Sequence, residues 1–429
     1  MNIQYPKVLV VSSTPFSKTQ NNGKTLSSFF CGYPSENIAQ LSFSYGNTDE
    51  SVCRRYYFLS TGDIKRKSEG TSAQSRSQNE NEEDKSKKSV PAKFFHLLSE
   101  KRFPSAIWQK NRLWNRDLYY RAHLSAWIED FAPDVVFFQG FGVAYGYDVV
   151  LWICEKYHLP LILQLTDDYT SNLYKLSPLS YYNRQYYLTG LKRTIGMSHA
   201  VIAISATMQN EYSERFGGNI ITMMNSVDCT STASTSARNV NEYIYAGNVL
   251  LNRWKVLVNF GKALAETDKN ARLSVYTPDV PPKNILAAFE KIPSVYYGGR
   301  LTANELENRL ASCGTVVHVE SFDRLSRKIT RLSISTKIPE YMKSGAPIVA
   351  IGPANIASMN YLSQNSCALC VFDPSVKSIS DGIKKLRSDP ALCNKITSRA
   401  SELAQKEHNV DKNAETVKNL ILCACKDFK

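Results

Sequence analysis

Four groups of polar residues in this chain have the types and spacing that chemistry needs. The first is Ser335-Thr336-Lys337-Ile-Pro-Glu340. A short apolar run, Thr315–Val319, precedes it, and a second, Pro347–Ile351, follows and is closed by Gly352-Pro353. Both runs have the length of buried strands. Between them the sequence predicts a short helix with Ser335 or Thr336 as its N-cap and Gly345 as its stop. In parallel α/β proteins ligands bind at the carboxyl ends of strands and the starts of the helices that follow. Free N–H groups and the positive helix end there suit a diphosphate. Glu340, about one turn in, has the chemistry to accept two hydroxyl protons from a ribose. The competing reading is a glutamate that only complements the helix dipole.

The second group is Tyr243-Ile-Tyr-Ala-Gly247-Asn248, followed by Arg253-Trp-Lys255. A strand, a glycine and a loop with two cations before a helix would bring backbone donors and positive charge to one phosphate. A solvated helix start is the alternative. The third is Asp167-Asp168, just after the apolar run Leu161–Leu165, at the end of a parallel strand where substrates bind. One helix N-terminus could also account for one of the two carboxylates. The fourth is the polar loop after Lys7–Val11, whose Asn22, Gly23 and Lys24 open a helix. Its glycine spacing is not that of a P-loop. Ligand-facing and structural readings of Gly23 and Lys24 both stand.

The elements that position these groups recur as strand, glycine or polar loop, then helix. Further strands are expected at Val135–Gln139, His199–Ile204, Ile220–Met224, Leu273–Thr277 and Ala368–Phe372. A chain of 429 residues with 43% hydrophobic content can build two or three cored domains. We expect a domain at 1–235, a second at 240–410, and a terminal helical segment at 411–429. Residues 65–93 are Ser, Gln, Asn, Glu and Lys with almost nothing apolar, and read as a disordered insertion. Cys229–Asn239, rich in Ser and Thr, reads as the linker between the domains.

Ser-Thr-Lys-Ile-Pro-Glu-Tyr-Met-Lys-Ser-Gly-Ala-Pro-Ile-Val-Ala resembles the nucleotide-binding segment of the family-four glycosyltransferases. Asn225-Ser-Val-Asp228 is similar to the Asn-Gly-Val-Asp common where that family's first domain ends. The resemblance is weak over the first 130 residues and strong from about 195 onward. It implies an α/β, GT-B architecture: two Rossmann-like domains with parallel sheets facing a central cleft, the final helix crossing back to the first domain.

The resemblance also implies that Glu340 holds the nucleotide ribose and that the amides of Ser335, Thr336 and Lys337 hold the diphosphate. The Asn22–Lys24 loop would face the cleft, and Asp167 or Asp168 would face acceptor and sugar. This sequence departs from the pattern twice. The family's other glutamate, eight residues before Glu340, is Leu332 here, which leaves Glu320 as its equivalent beyond an inserted loop bearing Arg324, Arg327, Lys328 and Arg331. The basic residue expected after Gly247 is Asn248, which leaves Arg253 and Lys255 for the diphosphate.

The function implied is transfer of a sugar, with retention, from a nucleotide diphosphate donor to a saccharide or polyprenyl-linked acceptor in cell-surface polysaccharide assembly. A sugar-nucleotide 2-epimerase of the same fold, or a non-catalytic nucleotide-binding subunit, are the alternatives. The chain contains no D-x-D triplet, and its ten cysteines lack zinc-site spacing. No cofactor and no metal are therefore expected. Lys plus Arg exceed Asp plus Glu by 13, which suits phosphate-bearing ligands or an anionic bilayer. Nucleic acid is not an expected partner. Phe94–Phe131 interleaves Lys101, Arg102, Lys110, Arg112, Arg116 and Arg121 with Trp108, Trp114 and Trp127. It reads either as a basic surface on a membrane or as packed helices with solvated charges. No run reaches a membrane span and no signal peptide is evident. The expected location is cytoplasmic, with a peripheral position on the inner face of the plasma membrane left open.

Overall fold

The computed structural model describes residues 5–18, 21–68, 103–116, 118–170, 177–229 and 238–428. The chain divides into two compact units. Unit 1 comprises Met1–Ile202, Glu211–Ile221 and Val417–Lys429, and unit 2 comprises Ala203–Asn210 and Thr222–Thr416.

Apolar runs become strands buried on both faces, the signature of parallel sheets covered by helices. The first sheet holds β1 (Val8–Ser12), β2 (Ile38–Ser42), β3 (Arg55–Phe58), β4 (Val135–Gly140), β5 (Leu161–Leu165), β6 (Ser198–Ala203) and β7 (Ile220–Thr222). Its order is β3-β2-β1-β4-β5-β6-β7. The second holds β8 (Asn239–Ala246), β9 (Arg272–Tyr276), β10 (Val295–Gly299), β11 (Cys313–Val319), β12 (Ile348–Ile351) and β13 (Leu369–Val371), in the order β10-β9-β8-β11-β12-β13. Pairings such as β1 with β4 and β8 with β9 are parallel. In both sheets the chain winds outward from the first strand over three strands and then crosses back to that strand's other side, so the topological switch point lies between β1 and β4 in one, and between β8 and β11 in the other.

In unit 2, alternate residues of the same strands feed two cores. Tyr243, Tyr245, Val317, Val319, Val349 and Ile351 enter one core. Ile244, Ala246, Val316, Ile348 and Ala350 enter the other. The period of two along a strand dictates that split. The helix Arg253–Thr267 covers the first core with Val256, Leu257, Phe260 and Leu264. Ile338, Tyr341 and Met342 of the helix Ile338–Lys343 cover the second.

The helix ends follow local chemistry, with one correction. Gly345 is the stop expected, at φ 70°, where a side chain would cost strain. The N-cap, however, is Lys337, with no side-chain capping bond. Neither Ser335 nor Thr336 caps, because the chain already turns helically at Lys337 and leaves both ahead of the cap. The inserted basic segment is not an open loop: Arg324–Thr330 is a helix capped by Asp323, whose carboxylate accepts from Ser326 N at 3.0 Å.

The last stretch of the chain, Val417–Lys429, belongs to unit 1, where Lys418 Nζ sits 5.1 Å from the centroid of the Tyr5 ring. Residues 222–229, expected in the first domain, group with unit 2. Met224 is in its core, and His408 Nδ1 donates to Asn225 O at 2.7 Å. Residues 65–68 finish a helix, Thr61–Ser68; 69–93, the rest of the expected insertion, lie outside the described residues, as does 230–237 of the expected linker.

The basic-aromatic stretch is described from Phe103, and there the core-packing reading prevails. Trp114 is buried and stacks on Tyr145 at 4.3 Å. Phe131, Leu124 and Ile128 are buried as well, while Arg112 lies over the Trp108 ring at 5.1 Å. Among the described residues no helix is long and apolar enough to cross a membrane.

Candidate functional site

The switch point of the second sheet holds a pocket, open to solvent and lined by Gly247, Asn248, Arg253, His318, Glu320 and Ser335 over Tyr245 and Tyr341. Its walls are the ends of β8 and β11. Past β8, Leu251 and Asn252 take left-handed conformations, φ 56° and 61°. Such residues cost of order 1–3 kcal/mol each and need surrounding structure to hold them. Their effect is to start the next helix at Arg253, with its side chain turned back toward the strand ends.

Arg253 there meets Glu320. Its Nη2 donates to Glu320 Oε2 at 2.9 Å and its Nε to the same oxygen at 3.3 Å. The Glu320 side chain is 2% exposed and that of Arg253 18%. The other carboxylate oxygen, Oε1, accepts from Ser358 Oγ at 3.3 Å. His318, two residues earlier on the same strand face, places Nε2 3.6 Å from Oε1 and has no hydrogen-bond partner for that nitrogen. Burial is the first cause pushing its pKa down to about 4; Arg253 pushes the same way and Glu320 opposes. The imidazole is neutral at pH 7.

Tyr341 anchors the remaining wall. Its hydroxyl donates to Ala246 O at 2.8 Å and accepts from Ala246 N at 2.9 Å. The helix that bears Glu340 is thereby fixed to the end of β8. Glu340 is one residue earlier and faces more solvent, at 20% side-chain exposure, with Lys337 Nζ donating to it at 2.8 Å. An i,i+3 pair of this kind contributes a few tenths of a kcal/mol, so a ligand hydroxyl can replace the lysine at little cost.

The structure sorts the other expected site residues. Gly247, Asn248, Arg253, Glu320 and Ser335 converge on the pocket. Lys255 does not: it is exposed, with Nζ 5.7 Å from the centroid of the Trp254 ring. Two residues along a helix turn a side chain by about 200°, so only one of Arg253 and Lys255 could face inward. Thr336 and Lys337 are half-buried outside the pocket lining, and Leu332 is fully buried. Asn248 closes its own loop, its Oδ1 accepting from Leu250 N at 2.7 Å.

In unit 1 the paired aspartates divide. Asp168 is 2% exposed. Its Oδ1 accepts from Thr170 N at 2.9 Å, Thr170 Oγ1 at 2.6 Å and Tyr212 OH at 3.0 Å. It ties the turn after β5 to the helix Ala206–Phe216. Asp167 is half-buried and accepts from Tyr169 OH at 3.2 Å. The loop residues Asn22, Gly23 and Lys24 lie in the first turn of the helix Asn21–Phe29. A Cβ on Gly23 would come within 2.5 Å of Pro15 O, so this glycine is there for close packing. Lys24 is exposed and Asn22 half-buried.

Sequence reasoning passed over His318, Tyr341 and Ser358. A signal existed for the first: in Val-His-Val-Glu, His318 and Glu320 alternate onto one strand face.

Residues 82–231 match the family model described as Glycosyltransferase Family 4. This segment includes Asn225-Ser-Val-Asp228 and ends before the Ser335–Glu340 motif. A comparison with curated proteins returns no match. Among solved structures, HepE from Anabaena in complex with UDP and glucose is 14% identical, covers 97% of this chain and 100% of its own, and superposes with a TM-score of 0.62. Sucrose-phosphate synthase from Thermosynechococcus elongatus is 11% identical over 98% of this chain and 100% of its own, TM-score 0.64. WaaG, a glycosyltransferase involved in lipopolysaccharide biosynthesis, is 11% identical over 96% and 99%, TM-score 0.56.

Proposed function

We propose that this chain, which has the GT-B fold of those glycosyltransferases, moves a sugar from a nucleotide diphosphate donor to a hydroxyl of a saccharide or lipid-linked oligosaccharide. The observation that supports this most is Arg253, turned into the pocket at the switch point of the second sheet and held there by buried Glu320. A fixed guanidinium beside the Gly247-Asn248 turn is suited to a diphosphate. In a partly enclosed site it would stabilise the charge that develops as that diphosphate leaves. Glu340 would take the ribose hydroxyls, displacing Lys337. Glu320, occupied by Arg253 and Ser358, acts through them; it is a positioning residue in this reading. Of the two aspartates, half-buried Asp167 rather than buried Asp168 would face an acceptor in this reading. Retention would follow if the acceptor attacked on the face the diphosphate leaves, since this reading assigns no nucleophilic carboxylate. The matched family and the lipopolysaccharide enzyme among the structural neighbours support polysaccharide assembly as the setting.

The test incubates the protein with a panel of nucleotide sugars, with and without a polyprenyl-linked saccharide. Release of nucleoside diphosphate and a lengthened acceptor, only when both are present, is the expected result. A changed free nucleotide sugar without acceptor would mean an epimerase. Nucleotide binding with neither product would mean a non-catalytic subunit.

A further inference from the structure

His318 lines the pocket and the proposed reaction leaves it unused. It is a buried imidazole whose Nε2 has no hydrogen-bond partner, in a wall that otherwise matches each charge. The local charge balance explains what it could do. Glu320 carries one negative charge, almost fully buried, and its counter-charge comes from Arg253. Ser358 adds a neutral hydrogen bond. Tyr245 and Tyr341, the other ionisable groups that line the pocket, are pushed upward by burial and stay protonated.

An anion that engages Arg253 upsets this balance. The guanidinium is then shared between Glu320 and the phosphate oxygens, and a buried carboxylate with a weakened partner is costly. One nearby group can restore the positive charge. The Nε2 of His318 sits 3.6 Å from Glu320 Oε1; a shift of under 1 Å would bring it into the ~2.7–2.9 Å range of a charge-assisted bond.

We propose that binding of a nucleotide-diphosphate donor loads one proton from solvent onto His318 Nε2, which then donates to Glu320 and lets Arg253 turn to the diphosphate. His318 is in this sense a positioning residue, and donor affinity is linked to pH. The inference rests on the donor reading above. It adds that the pocket takes its ligand together with a proton. The sign follows from linkage: if the bound state holds more protons than the free state, affinity rises as pH falls, by up to about tenfold per pH unit for one proton.

The experiment is titration calorimetry with UDP-glucose at pH 7 in buffers of different ionisation enthalpy. The diphosphate of a nucleotide sugar is a diester with no proton to exchange in the neutral range, so any uptake belongs to the protein. The expected result is uptake approaching one proton per ligand bound, and affinity that strengthens from pH 8 to pH 6. His318→Asn is expected to bind UDP-glucose while losing both the uptake and the pH dependence. If His318→Asn fails to fold by circular dichroism, Glu320→Gln, which removes the charge that calls for the proton, is expected to lose the uptake in the same way. Binding without proton uptake, or uptake unchanged in the variant that folds, overturns this inference and leaves the donor reading intact. No binding of UDP-glucose or of any other nucleotide-diphosphate hexose overturns the donor reading, and this inference with it.

Discussion

At the first sheet's switch point the buried side chains Gln40, Gln139 and Gln164 are neutral and each makes a hydrogen bond to a polar neighbour, although Gln139 Oε1 has no partner. Gln40 Nε2 donates to Ser12 Oγ at 2.8 Å, and its Oε1 accepts from Phe16 N at 2.9 Å. On the neighbouring strands Gln139 Nε2 donates to Gln164 Oε1 at 3.0 Å. At the second sheet's switch point the corresponding strand ends carry Arg253, Glu320 and a partnerless imidazole around an open pocket. The two sheets follow the same winding, so topology supplies the crevice and side chains decide its use. Neutral side chains such as Gln40 knit a loop to a sheet. A buried ion pair contributes little net stability, but it keeps a cation at a fixed place where an anion can share it.

The comparison breaks most visibly at Arg253. Arg253→Met leaves Glu320 buried without its counter-charge, which should cost on the order of 3 kcal/mol, the lower end for such pairs because Arg253 retains some solvent. Arg253→Met with Glu320→Leu should recover most of that stability in urea melts while nucleotide binding stays lost. In unit 1, Gln40→Leu should cost about 1–3 kcal/mol and leave nucleotide affinity unchanged. A double variant that binds nucleotide normally would remove the distinction between the two crevices.

Acid should sharpen the same contrast. His318 has a folded-state pKa near 4 against 6.5 unfolded, so between those values the unfolded chain binds more protons. Its contribution is complete above about pH 6.5 and is lost as pH falls toward 4, up to about 3 kcal/mol in all. Melting temperatures followed from pH 7 to pH 4.5 should fall less steeply in His318→Asn than in the parent.

Glu340→Ala should weaken donor binding by about 10- to 150-fold, at roughly 1.5–3 kcal/mol for a charge-assisted bond lost. Glu340→Gln should be milder. Neither should change stability by more than about 0.5 kcal/mol, since an i,i+3 pair such as that with Lys337 contributes only a few tenths. Calorimetric titration against a 2′-deoxyribose analogue checks this. An unchanged affinity would mean that the Glu340 helix only frames the pocket.

Within unit 1, the two aspartates should behave oppositely. Asp168→Ala removes the acceptor for three donors and should cost about 1–3 kcal/mol in denaturant melts. Asp167→Asn should leave the melt unchanged and act on acceptor kinetics alone. The smallest effect is expected for replacing residues 69–93 with a short Gly/Ser bridge, which should leave melting temperature and transfer activity close to the parent's. Their composition gives them almost no apolar surface to bury. A large loss of either would assign that segment a role.

The sequence by itself determined the elements. Apolar runs of strand length, closed by glycine or a polar loop, set the parallel strands, because a strand buried on both faces must be apolar throughout. Gly345 marked the end of the Glu340 helix, because a residue at positive φ is cheapest as glycine. The loop after β8 was recognisable for the same kind of local reason. Tertiary structure decided which of those residues meet. Arg253 and Glu320 are 67 positions apart, and Tyr341 and Ala246 are 95 apart; no local pattern encodes either approach. It also separated near neighbours: Arg253 lines the pocket while Lys255 is exposed, and Asp168 is buried while Asp167 is half-buried. A helix or a turn sends residues one or two positions apart in different directions, and only the packed neighbours fix which direction is inward.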